Sequence, residues 1–187
     1  EPGLPEAIRH GTTTVLVGNC SLGTCFGTQR EGDQDPIVDC FTRVENIPKK
    51  VLAKCADAVS WDNTADYLDH FTDIPLGPNV AAFIPHSMLR VEVMGLQGSI
   101  SRAPTEEELD RMCKLLEQAL EQGYMGLSTD GLPFHYLSND PNTDKRIPTQ
   151  FASYKELKRL LEIVREKGKV WQTTPIIEKR ILAFKYF

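Results

Sequence analysis

The chain has 187 residues, of which 41% are hydrophobic and 25% are charged, a composition typical of a globular protein rather than a disordered one. Its 21 Lys and Arg residues against 26 Asp and Glu give a formal charge of −5, which argues against general binding to nucleic acid or to an anionic membrane. No apolar run approaches the roughly 20 residues that a membrane-spanning helix needs. Five cysteines, an odd number without a CxxC pair, are poor evidence for a disulfide scaffold and favour a cytoplasmic protein.

Four segments have the composition of buried β-strands. They are apolar or β-branched, each follows a turn or a glycine, and they lie at 12–17, 79–84, 124–129 and 169–174. Their apolar and polar residues do not alternate cleanly, which is typical of strands that are covered on both faces. We therefore expect parallel strands in an α/β sheet.

Helical patterns separate these segments. The sequences 105–108 and 153–156 are typical of capping boxes, and each is followed by apolar residues at helical spacing. Gly123 and Gly168 are expected to end these two helices, directly before a strand. Two shorter helices are predicted at 63–71 and 44–58.

The strand spacing limits how much of a barrel the chain can form. The predicted strands begin near residues 12, 79, 124 and 169, so four of them use most of the chain. A complete eight-stranded (β/α) barrel typically needs about 250 residues. At most about half of such a barrel could be present, and its open sheet edges lead us to expect self-association or association with the remainder of a larger protein.

Polar side chains follow three of the predicted strands, at the carboxyl ends where parallel α/β folds build their sites. Cys20, in the turn 18–21, could be a metal ligand or a nucleophile, although a semi-buried structural thiol is the more frequent case. His86 could be a ligand, a general base or a hydrogen-bonded structural group. Ser128 and Thr129 could hold a substrate carbonyl or carboxylate, or could only satisfy the turn.

The long loop 132–150 is a further candidate, because loops of this length are uncommon unless they are functional or disordered. It contains His135 and Tyr136, and its aromatic and proline content favours order. The basic pair Lys145 and Arg146 could bind a substrate carboxylate or could be a solvated surface pair. The histidines are too far apart for a local zinc motif, so the pattern alone predicts only an α/β protein with a site at the strand ends.

Four stretches carry a family resemblance. HGTTTVLVGNC at 10–20 is similar to the signature GVTTVVVGNCG, and NVAAFIPHSMLR at 79–90 is similar to NVAALVGHSTLR. TEEEL at 105–109 and ALEQGYMGLST at 119–129 are similar to ATPEEI and ALEAGALGLST. These signatures are those of the N-acyl-D-amino-acid deacylases (D-aminoacylases) of the amidohydrolase superfamily, which the chain resembles over about 120 residues.

The resemblance implies that residues 1–187 are the central part of an amidohydrolase barrel domain, a partial TIM-like (β/α) barrel. It implies hydrolysis of the C–N amide bond of an N-acyl-D-amino acid, or a related small molecule, by a water that one or two divalent metals, usually zinc, activate. Cys20 matches the metal-ligand cysteine of the family. The predicted substrate-binding residues are His86, Ser128, Thr129, His135, Tyr136 and Arg146.

The sequence departs from the family pattern at several points. A ligand histidine usually lies in a TTH stretch after the last predicted strand, where this chain has Thr174, and Ser21 replaces a glycine. The HxH motif is expected to precede Glu1 and the catalytic Asp to follow Phe187, so we expect the chain alone to be inactive. The alternative function, which Thr174 favours, is a barrel-derived module with a decayed metal site that acts in binding or oligomerisation.

Overall fold

Four parallel strands form a single sheet in the computed structural model, which describes residues 3–175. In the order in which they neighbour one another, they are β1 (Thr14–Val17), β2 (Asn79–Pro85), β3 (Gly126–Thr129) and β4 (Val170–Thr173). Each strand lies within two residues of its predicted bounds. The strand order follows the chain order and helices flank the sheet, so the half-barrel architecture predicted from the sequence is confirmed.

Helices precede, connect and cover the strands. Among the described residues these are α1 (Pro5–Arg9), α2 (Pro36–Val44), α3 (Lys49–Asp57), α4 (Thr64–His70), α5 (His86–Ser99), α6 (Glu106–Gln122) and α7 (Tyr154–Glu166), with short 3₁₀ helices at Phe71–Asp73 and Pro148–Phe151. Within the same residues, none of the helices combines the length and apolar character needed to cross a bilayer.

The predicted single helix at 44–58 is wrong. Two helices occupy this region, because α2 ends at Val44 and α3 begins only at Lys49. Pro48 lies at the N-cap of α3, and a proline lacks the N–H that a helix interior requires and disfavours helical geometry in the residue before it. Asn46, with a φ of 52°, completes the break between the two helices.

The two predicted capping boxes differ. At the start of α6, Thr105 accepts the N–H of Glu108 and the Glu108 carboxylate accepts the N–H of Thr105, as predicted. At the start of α7, Ser153 accepts the N–H of Glu156, but the Glu156 carboxylate does not return to the Ser153 N–H. It enters the protein interior instead, so the second box is only half formed.

The hydrophobic core lies between the sheet and the helices α5, α6 and α7. Its fully buried side chains include Ile84, Leu89, Met112, Leu116, Leu127 and Leu160. On the outer strands, by contrast, Leu16 of β1 is 45% exposed and Val170 of β4 is 47% exposed. The outer strands β1 and β4 are therefore less covered than β3 and the carboxyl-terminal half of β2, which are buried.

Candidate functional site

The turn that follows β1 has an unusual backbone. Gly18, Cys20 and Ser21 have φ angles of 82°, 52° and 64°, all in the left-handed region. Only glycine is possible at position 18, because a Cβ there would lie 2.6 Å from the carbonyl oxygen of Phe83. For the two non-glycine residues this conformation costs roughly 1–2 kcal/mol each, so neighbouring groups must stabilise it. We call residues 18–21 the Cys20 turn.

One residue associated with each of the other three strands contacts the Cys20 turn. The Ser21 hydroxyl oxygen lies 2.7 Å from that of Ser87, which follows β2. The Ser21 N–H donates to the hydroxyl oxygen of Ser128 in β3 at 3.1 Å, and the Cys20 N–H donates to Oε1 of Gln172 in β4 at 3.2 Å. The carboxyl ends of all four strands therefore converge on the residue that the sequence singled out.

The thiol of Cys20 is free and half-buried. Burial raises its pKa, and the negative charges of Asp130 and Glu45 raise it further. The thiol is therefore protonated near neutral pH in the chain as described. A metal ligand must be a thiolate, so coordination at Cys20 would displace a proton.

The described residues include a side chain of a type that metal centres use, the thiol of Cys20. A zinc centre takes three or four protein ligands, and a thiolate is one of its preferred ones. Between residues 3 and 175 no group of three His, Cys, Asp or Glu side chains is placed to hold a metal ion. Cys20 fits a metal centre as a single ligand, and the described part of the chain does not complete the centre.

His86 lies in a fully buried ion-pair cluster rather than on an open surface. Its Nδ1 is 2.8 Å from the hydroxyl oxygen of Thr149, and its Nε2 is 3.0 Å from Oε1 of Glu156. Arg90 donates to the same Glu156 oxygen at 2.6 Å. Although burial raises the pKa of Glu156, hydrogen bonds and charge from His86 and Arg90 lower it to about 2. Both ring nitrogens of His86 are therefore engaged inside the protein.

Ser128 and Thr129 are also buried and hydrogen-bonded within the chain. The Ser128 hydroxyl donates to the carbonyl oxygen of Gly18, in addition to accepting the Ser21 N–H. The Thr129 hydroxyl oxygen accepts Nε1–H of Trp171 at 2.9 Å. In this structure the two residues connect β3 to the Cys20 turn and to β4.

Asp130, which directly follows β3, organises a polar cluster that the sequence analysis missed. The carboxylate is buried and accepts the hydroxyl of Thr174 at 2.7 Å and Nε2–H of Gln150 at 2.8 Å. Nδ1 of His135 lies 3.0 Å from Oδ2 of Asp130, although it is not oriented for a hydrogen bond. Thr174 also accepts the N–H of Gly131 at 2.7 Å, so the threonine at the expected histidine position holds the β3 end.

The position of Asp130 in the sequence is enough to make it a candidate site residue. In the sequence GLSTDG it comes immediately after a predicted strand, at the edge where sites form. Most of the other acidic residues in the described part of the chain lie on helices, whereas Asp130 follows a strand.

Tyr136 and Arg146 lie side by side in the loop, joined by an antiparallel bridge. The guanidinium carbon of Arg146 is 5.9 Å from the centroid of the Tyr136 ring, and that of Arg43, from α2, is 5.2 Å from it. Arg43 also donates to the carbonyl oxygens of Leu137 and Thr143 at 3.0 and 2.8 Å. Two cations thus adjoin one aromatic ring, an arrangement that cation–π attraction favours.

Known proteins similar to this chain were found by sequence. No family model matches it. An uncharacterised protein of Mycobacterium tuberculosis is 37% identical over 190 residues, covering 100% of this chain and 30% of that protein. The D-aminoacylase of Alcaligenes xylosoxydans xylosoxydans is 32% identical over 123 residues, covering 65% of this chain and 22% of the enzyme. The chain thus spans less than a third of the length of these curated relatives.

Two solved structures are also similar to this chain over most of its length. A D-aminoacylase, studied for the functional role of its binuclear metal center, superposes with a TM-score of 0.62 at 25% identity, covering 95% of this chain and 32% of that one. The N-acyl-D-glutamate deacylase of Bordetella bronchiseptica, complexed with zinc and a phosphonate inhibitor, superposes with a TM-score of 0.66 at 24% identity, covering 94% of this chain and 31% of that one. At that identity the second likeness concerns the fold alone.

Proposed function

We propose, from the relationship of this chain to the D-aminoacylases of the amidohydrolase superfamily, that the whole protein hydrolyses the C–N amide bond of N-acyl-D-amino acids or a related amide. In this proposal residues 1–187 are the central part of the barrel domain. Further parts of the protein supply the remaining metal ligands and the acid–base residue.

The position of Cys20 carries the proposal. The cysteine follows β1 in a stretch that resembles the family signature, and its turn contacts residues associated with each of the other three strands. In (β/α) barrels this edge of the sheet is where catalytic residues gather. Cys25 and Cys40, by contrast, are buried in the hydrophobic core, where a thiol acts as a small apolar side chain.

The metal in this proposal is zinc. When bound, it supplies Lewis-acid polarisation of the scissile carbonyl and an activated water nucleophile. The part that this chain contributes is one thiolate from Cys20, held in a fixed direction by the Cys20 turn. Because burial and the charges of Asp130 and Glu45 raise the thiol pKa, occupation of the site is favoured as pH rises.

The loop residues are proposed to bind the substrate carboxylate. Arg146, Tyr136 and Arg43 form a cationic group with an aromatic centre, and guanidinium groups bind carboxylates through paired hydrogen bonds. His135 and Thr129 are proposed to line the acyl side of the site. His86 and Ser128, whose polar atoms are all engaged within the chain, are proposed to act through the residues they hold in place.

An assay of the whole protein tests this function. We expect zinc to co-purify, N-acyl-D-amino acids to be hydrolysed in preference to their L-enantiomers, and chelation to abolish turnover. Cys20→Ser should lower both zinc content and kcat/KM by at least about 100-fold, since it removes a ligand rather than an outer contact. Cys55→Ser, at an exposed free cysteine, is the matched control and should leave both unchanged. Full activity in the Cys20→Ser protein would contradict the proposal.

Thr174 favours a second candidate, a non-catalytic binding or oligomerisation module. The Thr174 hydroxyl donates to the Asp130 carboxylate and accepts the Gly131 N–H, and this position has no histidine. This candidate predicts no bound metal and no turnover in the whole protein, together with self-association in light scattering. Zinc bound through Cys20 would exclude it.

A further inference from the structure

The Cys20 turn places two consecutive non-glycine residues, Cys20 and Ser21, in the left-handed region. Such a pair persists only where the surrounding structure determines it, and backbone strain of this kind concentrates at functional sites. A glycine would adopt the same angles at position 21 without support. The serine at this position must therefore be held by its contacts.

Every polar group of Ser21 is engaged, and the residue is fully buried. Its N–H donates to the hydroxyl oxygen of Ser128, its hydroxyl is paired with that of Ser87, and its carbonyl oxygen accepts the Ser87 N–H at 3.2 Å. The Ser128 hydroxyl in turn donates to the carbonyl oxygen of Gly18, at the other end of the turn. We call Ser21, Ser87 and Ser128 the serine cluster; all three are inaccessible to solvent.

The serine cluster is itself anchored to the protein interior. The Ser87 hydroxyl oxygen accepts the N–H of Thr149 at 3.1 Å, and the Thr149 hydroxyl is paired with Nδ1 of His86. His86 belongs to the buried cluster with Glu156. A continuous series of hydrogen bonds thus runs from an interior ion pair to the residue next to Cys20, and water cannot replace any of its members because all are buried.

We propose that the serine cluster consists of positioning residues that fix the direction of the Cys20 thiol at the end of the sheet. The inference rests on the proposed function in one respect, that Cys20 is a metal ligand. Groups that orient a metal ligand from outside the coordination sphere typically alter metal affinity by about 10–100-fold when removed. The serine cluster has this relation to Cys20, because it holds the backbone of the turn that carries the proposed ligand.

Three variants of the whole protein separate positioning from folding. Ser87→Ala removes the hydroxyl that holds Ser21. Ser21→Ala removes the other hydroxyl of this pair and leaves the hydrogen bonds of the Ser21 N–H and carbonyl oxygen in place, so it is the milder change to the fold. Ser101→Ala is the matched control, because its hydroxyl donates to the carbonyl oxygen of Gln97 on an exposed helix end.

Two measurements are made on each variant. The first is cobalt(II) binding after removal of the native metal, followed by the sulfur-to-cobalt charge-transfer absorption that reports the Cys20–metal bond. The second is the rate of Cys20 alkylation in the metal-free protein, quantified by peptide mass spectrometry. We expect Ser87→Ala and Ser21→Ala to weaken cobalt binding by about 10–100-fold, to change the charge-transfer band and to speed alkylation, and Ser101→Ala to match the wild type.

The outcomes distinguish this inference from the proposed function. If Ser87→Ala and Ser21→Ala bind cobalt with the wild-type affinity and show the wild-type charge-transfer band, the positioning role is overturned and the ligand role is left intact. Absence of the band in the wild type overturns the ligand role. In that case the alkylation rate of Cys20 is the measurement that tests the positioning role. Faster alkylation than in the wild type in both variants supports this role, and an unchanged rate overturns it.

Discussion

Glu156 has a different role from the one its sequence context indicates. The SxxE spacing predicts a surface carboxylate that caps α7, whereas its side chain is fully buried between His86 and Arg90. The ion pairs link α7 to α5, and Arg90 extends the link by donating to the carbonyl oxygens of Ser99 and Arg102. The carboxylate is therefore part of the interior framework behind the strand ends.

Replacing this carboxylate should destabilise the protein strongly. We expect Glu156→Gln to lower the free energy of unfolding by about 3–5 kcal/mol, because it leaves the buried Arg90 charge without its partner. Urea denaturation of the whole protein measures this change. Glu166→Gln, at an exposed side chain on the same helix, is the control and should shift stability by less than about 0.5 kcal/mol. Equal stabilities of the two variants would contradict the assigned role.

The same carboxylate should make stability sensitive to acid. In the folded protein the pKa of Glu156 is lowered to about 2, below the roughly 4.3 of an unperturbed glutamate. A depressed folded pKa means that the contribution to stability is complete above the unfolded value and is lost as pH falls toward 2. Unfolding free energies measured between pH 5 and pH 2 should fall less steeply for Glu156→Gln than for the wild type. Parallel pH profiles would show that Glu156 is not the responsible group.

At the scale of single residues, the sequence pattern can locate Cys20 and Asp130 at strand ends. It cannot reveal the roles of His86 and Ser128. A cysteine or aspartate directly after a buried strand can be located from the strand pattern alone. The partners of His86 and Ser128 cannot be, because they lie 63 to 110 positions away along the chain. Only the folded chain shows that these polar groups are already used.

At the scale of elements, the pairing of β3 with β4 depends on Gly126. In the register of these strands Gly126 lies opposite Val170, and a Cβ at Gly126 would be 1.7 Å from the Val170 carbonyl oxygen. No shift of a flexible side chain can relieve such a contact, because the neighbouring atom belongs to the backbone. The glycine therefore allows the two strands to approach and sets where Ser128 and Thr129 fall at the sheet edge.

A single methyl group should disrupt this pairing. We expect Gly126→Ala to destabilise the protein by more than about 3 kcal/mol, as overpacking against backbone does at its upper range. At Gly168 nothing lies within 4 Å of an added Cβ, so Gly168→Ala should cost only the left-handed strain of about 1–2 kcal/mol. Thermal unfolding of both variants makes the comparison. A smaller loss for Gly126→Ala than for Gly168→Ala would contradict the register.

The strands and the amphipathic helices were predictable because each carries its own local signal. Examples are the apolar face and the N-terminal capping box of α6, and the end of α7 close to Gly168. Helix α5 was not predicted, since it follows β2 without a loop and its buried residues lie on nearly all sides, which leaves no stripe. Its non-helical geometry at Gly95 weakens the helical pattern further.

At the scale of the whole molecule, the chain forms half of a barrel, with Cys20 and its hydrogen-bonded partners at the carboxyl ends of the strands. It spans about 30% of the uncharacterised M. tuberculosis relative, and outer-strand residues such as Leu16 and Val170 remain exposed on the sheet. Among residues 3–175 the metal-ligating side chains do not gather in a group of three. We therefore propose a single metal ligand in the described part of this chain, Cys20, and the proposed function depends on it.

Zinc X-ray absorption spectroscopy of the whole protein tests the assignment most directly. We expect a sulfur scatterer at about 2.3 Å from zinc, the usual zinc–thiolate distance, which disappears in Cys20→Ser and is retained in Cys55→Ser. A zinc site with only nitrogen and oxygen scatterers in the wild type would show that Cys20 is not a zinc ligand.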